Sequence, residues 1–256
     1  MDEKATVLYE KLDAVAYVTL NRPKALNAFN VRMRDELYEV MWAVKSDSEV
    51  RVAVIRGAGD RAFCAGADLS EFISAPSAVK ARDTRALRDL WKLFLSVPQP
   101  LVAAMHGFVI GSGLELSQLC DIRIAATNAV FRLPEVSLGI MPAAGGTQTV
   151  PRSVGISLAL DMLLTNRTIG ADEALRHGLV SRVVQPEMMQ AATDEVALRL
   201  ASFEPLAVRN AKQAVRSGAD LALAEGLHLE RLLSLELAAA RIPGSGHNTP
   251  VELQER

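Results

Sequence analysis

The chain has 256 residues, half of them apolar, a net charge of −2 and a pI near 6.1. That length supports one large domain with an appended subdomain and a core needing neither disulfide nor metal, and the near-neutral balance argues against a general nucleic-acid surface. The two cysteines, Cys64 and Cys120, form neither a CxxC pair nor part of a spaced Cys/His set, which argues against a disulfide framework or a structural zinc site.

The opening "MDEKATVLYEKLDAV" lacks the basic start and continuous apolar stretch of a signal peptide, and no run of 18 apolar residues follows. The expected compartment is a reducing cytoplasm, with no membrane partner. "VLYE" and "AVAYVTL" predict short strands separated by a charged turn around Lys11, and "NRPKALNAF" a loop carrying Pro23. Met33, Leu37, Val40, Met41 and Val44 recur at helical spacing and predict a helix over about 31 to 45. The strand "VAVIRG" leads to "AGDRAFCAGADL", a glycine-bearing loop in which Asp68 can cap the next helix. A basic helix is expected over 77 to 96, with Val79, Leu87, Leu90, Trp91 and Phe94 for packing and Lys80, Arg82, Arg85, Arg88 and Lys92 on a solvated face. Strands and helices then alternate through "LVAAMHGFVI", "DIRIAA", "AVFRLPE", "SLALDMLL", "GADEALRHG" and "LVSRVV". Past Pro186, helices near 187 to 202, 205 to 217 and 220 to 240 have no intervening strand pattern. The pattern as a whole is that of a layered α/β domain followed by a helical subdomain.

"GSGLELSQLCD", residues 111 to 121, starts like a phosphate-cradling loop but departs from both phosphate signatures. The third glycine of a dinucleotide fingerprint is replaced by Leu116, and the Gly-Lys-Ser/Thr of a phosphate loop is absent. What remains is a turn leading into a helix whose first N–H groups have no internal acceptor, with Glu115 in the first turn. A carboxylate there repels a fully anionic phosphate, so the turn points to acid/base chemistry on a polarised carbonyl. Glu135, after Pro134 in "FRLPEVSLG", stands on a stiff turn and is a second positioned carboxylate. Two such groups share acid and base duties when their environments hold one protonated and the other not. Gly145 and Gly146 in "PAAGGTQ" can be read as another anion loop or, preferably, as a tight turn shaping a pocket. His106, His177, His228 and His247 form no metal-ligand spacing and are read as structural, and the cysteines as packing residues.

Taken in order, "VTLNRPKALNAFN", "AFCAGADLSEF", "PLVAAMHGFVIGSGLELSQLCDIRIAA", "AVFRLPEVSLGIMPAAGGTQTVPRSVG", "EALRHGLVSRVV" and "PLAVRNAKQAV" resemble the enoyl-CoA hydratase/isomerase (crotonase) family over residues 6 to 217. The resemblance implies a crotonase-like α/β fold, a spiral core of repeated β-β-α units over residues 1–190, with a C-terminal helical oligomerisation subdomain over 191–256. It implies that the backbone N–H groups of Ala67 and Ser112 form an oxyanion hole for an acyl-CoA thioester oxygen. Glu115 would be the base towards the attacking water, and Glu135 would position that water and protonate the α-carbon. Coenzyme A would be held by Lys24 and Ala25 and by Ala65, Gly66, Asp68 and Leu69.

Relatives that only migrate a double bond usually keep just the glutamate matching Glu135, so the pair favours enoyl-CoA hydration in fatty-acid breakdown. The other enzymatic readings are an isomerase, lyase or hydrolase acting through the same enolate. A silent acyl-CoA or RNA-binding scaffold is opposed by the paired glutamates and the near-neutral charge. No cofactor or metal is expected beyond the coenzyme A of the substrate, and the expected assembly is a homotrimer or homohexamer. Three departures bear on the acyl group and on closure over it. The family usually has glycine where Ser112 stands, so a side chain there is expected to narrow the pocket or restrict the backbone. "FRLPE" lacks the glycine that commonly follows the phenylalanine, and the tail "LELAAARIPGSGHNTPVELQER" lacks the usual aromatic-plus-basic ending.

Overall fold

A computed structural model describes residues 5–73 and 88–241. The chain starts with strand β1 (Val7–Leu12) antiparallel to β2 (Val15–Leu20). The turn between them lies at Asp13, whose φ of 50° a short polar side chain tolerates. Lys11, expected in that turn, instead lies in β1 and reaches Asp47 Oδ2 at 2.9 Å. Helix α1 (Val31–Ser46) is capped by Asn30, whose side chain accepts the Met33 N–H, and it buries Met33, Leu37, Met41 and Val44.

Strands β3 (Val52–Gly57) and β4 (Ala62–Cys64) follow, then helices α2 (Leu69–Ile73) and α3 (Leu90–Ser96). Helix α3 covers only the end of the helix expected over 77 to 96. Asp89 caps it, its side chain accepting the Lys92 N–H at 2.9 Å, so Arg88 and Asp89, expected within the helix, are not helical. Val79, Lys80, Arg82, Arg85 and Leu87 lie outside the described residues, as does His247. Next come β5 (Leu101–Met105), β6 (Phe108–Ile110) and helix α4 (Ser112–Gln118), then β7 (Ile122–Ala126) and β8 (Val130–Arg132). Helices α5 (Gly146–Val154) and α6 (Ile156–Thr165), strand β9 (Ile169–Gly170), helix α7 (Ala171–Arg176), strand β10 (Arg182–Val184) and helix α8 (Met189–Ser202) complete the first compact unit.

The strands build two sheets, one of order β1-β2-β3-β5-β7-β10 and one of order β4-β6-β8-β9. Each of β3, β5 and β7 is followed directly by a strand of the second sheet, β4, β6 or β8, and then by helix. The β3-β5-β7 and β4-β6-β8 neighbours all pair in parallel. This is a spiral of β-β-α turns, in agreement with the fold that the motif order implies.

Both faces of the six-stranded sheet are covered, so its strands are almost continuously apolar. Ala16, Val18, Leu20, Ala53, Ile55, Ala103 and Met105 face the main core, while Val15, Tyr17, Val52, Val54, Val102 and Ala104 face Val196 and Ala197 of α8. Phe63 and Phe131 of the second sheet are fully buried, each worth about 1.5–3 kcal/mol of burial. Because α8 covers this sheet, the first compact unit runs through Ser202, and the boundary expected at 190/191 falls inside α8. The second unit starts at Phe203 and contains helices α9 (Pro205–Gly218) and α10 (Leu223–Ala240), joined by Asn210, whose amide donates to the Leu233 carbonyl at 2.9 Å.

The site is set by one close approach between successive turns of the spiral. A Cβ on Gly113, the second residue of α4, would stand 2.2 Å from the Cys64 carbonyl oxygen at the end of β4. Only glycine lets α4 start there. Cys64 is fully buried at this contact, and burial pushes its thiol up to about 12, so it is a packing residue rather than a nucleophile. We predict that Gly113→Ala destabilises the fold by at least ~2 kcal/mol in chemical denaturation, because backbone must move to admit the methyl. Ser112→Ala, at the neighbouring position, should change stability by less than about 0.5 kcal/mol. Equal effects of the two substitutions would contradict this placement of the constraint.

Candidate active site

Parallel pairing of β4 with β6 lays the Ala65-Gly66-Ala67-Asp68 loop beside the Gly111-Ser112-Gly113 turn. A Cβ on Gly66 would lie 3.1 Å from the Ile110 carbonyl oxygen and 3.9 Å from Gly111 Cα, so the two segments are in contact. On its other side the 65–68 loop is bonded to the loop over residues 22–29. The Ala65 N–H donates to the Leu26 carbonyl, Phe29 N–H to the Gly66 carbonyl and Asp68 N–H to the Phe29 carbonyl, at 3.0, 2.8 and 3.0 Å. Because Phe29 engages the residues either side of Ala67, the Ala67 N–H is turned away from Phe29. Ser112 is the first residue of α4, where a helical N–H has no internal acceptor. Neither N–H donates to another group among the described residues.

The tight points of the GSG turn are its glycines. Gly111 has φ 52°, and a Cβ there would come within 2.8 Å of Glu135 Oε1. Gly113 is the close approach to Cys64. Ser112, between them, is only partly buried and occupies an ordinary first helical position, so its side chain does not restrict the turn.

Glu115 follows one turn into α4 and is 2% exposed. Its Oε1 accepts two backbone N–H bonds, from Ala144 and Gly146, each 2.9 Å. Gly146 is the first residue of α5, so the carboxylate sits at that helix's N-terminus, where the helix dipole favours negative charge. The glycine pair of "PAAGGTQ" is therefore an anion-holding loop, and its anion is Glu115 of the same chain. Gly145 has φ 101°, so the expected tight turn and the anion-holding loop are one segment.

Glu135 begins a 3-10 turn after Pro134, and its carboxyl lies against Gly111. Its Oε2 is buried with no hydrogen-bond partner among the described residues. Burial holds this carboxyl above the ordinary glutamate range, opposed by a bond from its own N–H and reinforced by the nearby Glu115 charge. The two carboxylates thus meet opposite environments, one gripped by N–H donors and one desolvated.

Of the expected coenzyme A residues, Lys24, Ala25 and Leu69 are exposed, whereas Ala65 and Gly66 are packed between the neighbouring loops. Lys24 and Ala25 are exposed in the 3-10 turn Pro23–Ala25, and Lys24 makes no hydrogen bond or ion pair among the described residues. Leu69 is half exposed at the start of α2. Asp68 is committed within the chain. Its Oδ1 accepts the Ser70 hydroxyl at 2.6 Å and the Ser70 N–H at 3.2 Å, as a cap does, and its Oδ2 pairs with Arg22 Nη2 at 2.9 Å. These partners, Ser70 first and then Arg22, hold its carboxyl below the usual range. Arg22, absent from the sequence-derived set, also donates to the Ala28 carbonyl at 2.6 Å and ties the two loops together. His106 is half-buried with its pKa lowered by burial, in keeping with a structural role.

Comparison with known proteins shows the family to which the chain belongs. The family model described as "Enoyl-CoA hydratase/isomerase" matches residues 10–242. Crotonyl-CoA hydratase of Syntrophomonas wolfei is 42% identical over 88% of this chain and 86% of its own length. Short-chain-enoyl-CoA hydratase of Clostridium acetobutylicum is 42% identical over 84% and 83%. The crystal structure of an enoyl-CoA hydratase from Bacillus anthracis superposes with a TM-score of 0.87 at 34% identity, covering 92% of each chain. The chain belongs to the enoyl-CoA hydratase/isomerase family.

Proposed function

We propose that this chain is a 2-enoyl-CoA hydratase, adding water across the 2,3 double bond to give a 3-hydroxyacyl-CoA. The observation that carries this reading is the meeting of two N–H-bearing loops with two carboxylates in opposite environments, Glu115 buried on N–H donors and Glu135 half-buried with one oxygen desolvated. In this mechanism the thioester oxygen accepts bonds from Ala67 N–H and Ser112 N–H. Glu115, held as an acceptor by the start of α5, takes a proton from water as the water oxygen bonds to the β-carbon. The π electrons move through the α-carbon to the thioester oxygen, which the two N–H groups stabilise as it becomes anionic. A donor of this kind contributes roughly 10²–10³ in rate, since it meets charge that develops only in the transition state. Glu135, whose burial favours the protonated acid, delivers its proton to the α-carbon as the carbonyl re-forms. Net transfer of one proton from Glu115 to Glu135 through solvent restores the starting state.

Double-bond migration needs one carboxylate to shuttle one proton. The separate anchoring of Glu115 favours hydration, where a second group must aim and deprotonate water. Water addition is redox-neutral, and the chain's own groups supply donor, base and acid, so we assign no cofactor beyond the coenzyme A of the substrate. Lys24 and Ala25 are assigned to the coenzyme A end on the exposed outer side of the loops.

Glu115→Gln and Glu135→Gln should each slow hydration of crotonyl-CoA by roughly 10²–10⁴, followed as loss of the conjugated thioester absorbance. Wild-type rates in both variants would sink this mechanism.

Stability should also depend on Glu135. Its pKa is raised on folding, so the folded state holds the proton more tightly than the unfolded chain. The stability this supplies is complete below the unfolded pKa of about 4.3 and is lost as pH rises through the folded value. Glu135→Gln, which cannot ionise, should therefore melt close to wild type at low pH and progressively above it as pH rises. A melting difference that stays constant with pH would show that the Glu135 pKa is not raised on folding.

The expected homotrimer or homohexamer is supported by Ile156, Leu160 and Leu164, which form an exposed apolar stripe on α6 at 71, 49 and 66% exposure. Sedimentation should give a trimer or a multiple of it; a stable monomer would overturn this assembly.

A further inference from the structure

Glu115 is not the only side chain of α4 that bonds to α5. Gln118, three residues further along and on the same helical face, is 7% exposed, and its Oε1 accepts the Ser153 hydroxyl at 2.8 Å. Ser153 has one hydroxyl proton and a second acceptor, the Thr149 carbonyl, at the longer distance of 3.3 Å. The two helices are thus joined at two points. One is Glu115 on the Gly146 N–H at the start of α5, and the other is Gln118 on Ser153 near its end.

The second tie carries a stability penalty. Gln118 Nε2 is buried with no partner among the described residues, and an orphaned buried donor costs about 1–3 kcal/mol. Methionine facing alanine would fill such a contact without an orphaned group, so stability does not explain the pair. Geometry does. A helix attached only at Gly146 can pivot about that point, and apolar contacts are not directional enough to prevent it. Pro151 lies between the two ties and lacks the N–H that would bond the Thr147 carbonyl, so α5 is also less braced from within. A hydrogen bond two turns from Gly146 fixes the roll and the axial register of α5 over α4.

We propose that Gln118 and Ser153 are a positioning pair for Glu115. Their bond holds α5 in the register where the Ala144 and Gly146 N–H groups meet Glu115 Oε1, and so aims that carboxylate at the reacting water. The proposal rests on the hydratase reading, in which Glu115 is the base.

The test uses Gln118→Met, Ser153→Ala and the double variant in the full-length protein, with crotonyl-CoA as substrate. Each single substitution should lower kcat roughly 10-fold while KM stays within about twofold, since sub-ångström misplacement of a reacting group acts on the chemical step. The melting temperature should be unchanged or higher for Gln118→Met and for the double variant, and lower for Ser153→Ala, which leaves Gln118 Oε1 without its donor. The double variant should be no slower than the slower single, because the two residues act as a unit. A merely structural role would instead lower the melting temperature of Gln118→Met as well and leave kcat unchanged. Singles with kcat within about twofold of wild type, or losses that multiply in the double variant, overturn the proposal. Failure of the hydratase reading is distinguishable, since it appears as wild-type kcat in Glu115→Gln, whatever the pair does, and it removes the pair's role as well.

Discussion

The active-site geometry depends on how closely α4 approaches the end of β4. Gly113 lies against the Cys64 carbonyl, where a Cβ would be 2.2 Å from the oxygen, and this contact sets the start of α4 beside the 65–68 loop. Everything downstream inherits that position. Ser112 opens α4 beside the loop that carries Ala67, Glu115 follows a turn later, and Gly111 leaves just the room that Glu135 occupies. A backbone approach of this kind is rigid because both partners are main chain, one at the end of a paired strand and the other in the first turn of a helix.

The same spiral gives two chemically identical side chains different surroundings. Glu115 is almost wholly buried yet lies at a helix N-terminus with two N–H donors, whereas Glu135 has one oxygen buried with none. In the proposed mechanism, division of labour between an acid and a base then needs no third group, only a difference in solvation and hydrogen bonding. Leaving Glu135 Oε2 unsatisfied destabilises the fold, which is typical of groups retained for chemistry rather than packing.

Much of this was legible in the sequence, and the parts that were not have physical reasons. Helix α1 was legible from apolar spacing, and its four buried residues are among the five expected. Glu115 and Glu135 were legible because a first-turn acid and a post-proline acid are local signals. Asp68 capping was legible as well, but its Arg22 partner was not, since an ion pair between two loops leaves no trace in local pattern. The turn after β1 was displaced to Asp13 because a left-handed residue, not charge, makes the reversal. Ser112 drew attention as the unusual residue of its turn, whereas the steric demands fall on the glycines flanking it. Helix α8 resembles α9 and α10 in composition, and only its packing against the sheet through Val196 and Ala197 places it in the first unit. The hold of Ala144 and Gly146 on Glu115 spans about thirty residues of sequence and is a tertiary fact.

The central claim is that two loops from successive turns of the spiral make a single oxyanion site flanked by two unlike carboxylates. The most direct measurement is a crystal structure with an unreactive acyl-CoA thioester analogue bound. The account predicts the thioester oxygen about 2.7–3.1 Å from both the Ala67 and Ser112 nitrogens, with the α- and β-carbons facing Glu135 and Glu115. A thioester oxygen that bonds neither nitrogen, or an acyl chain entering away from both glutamates, would contradict it.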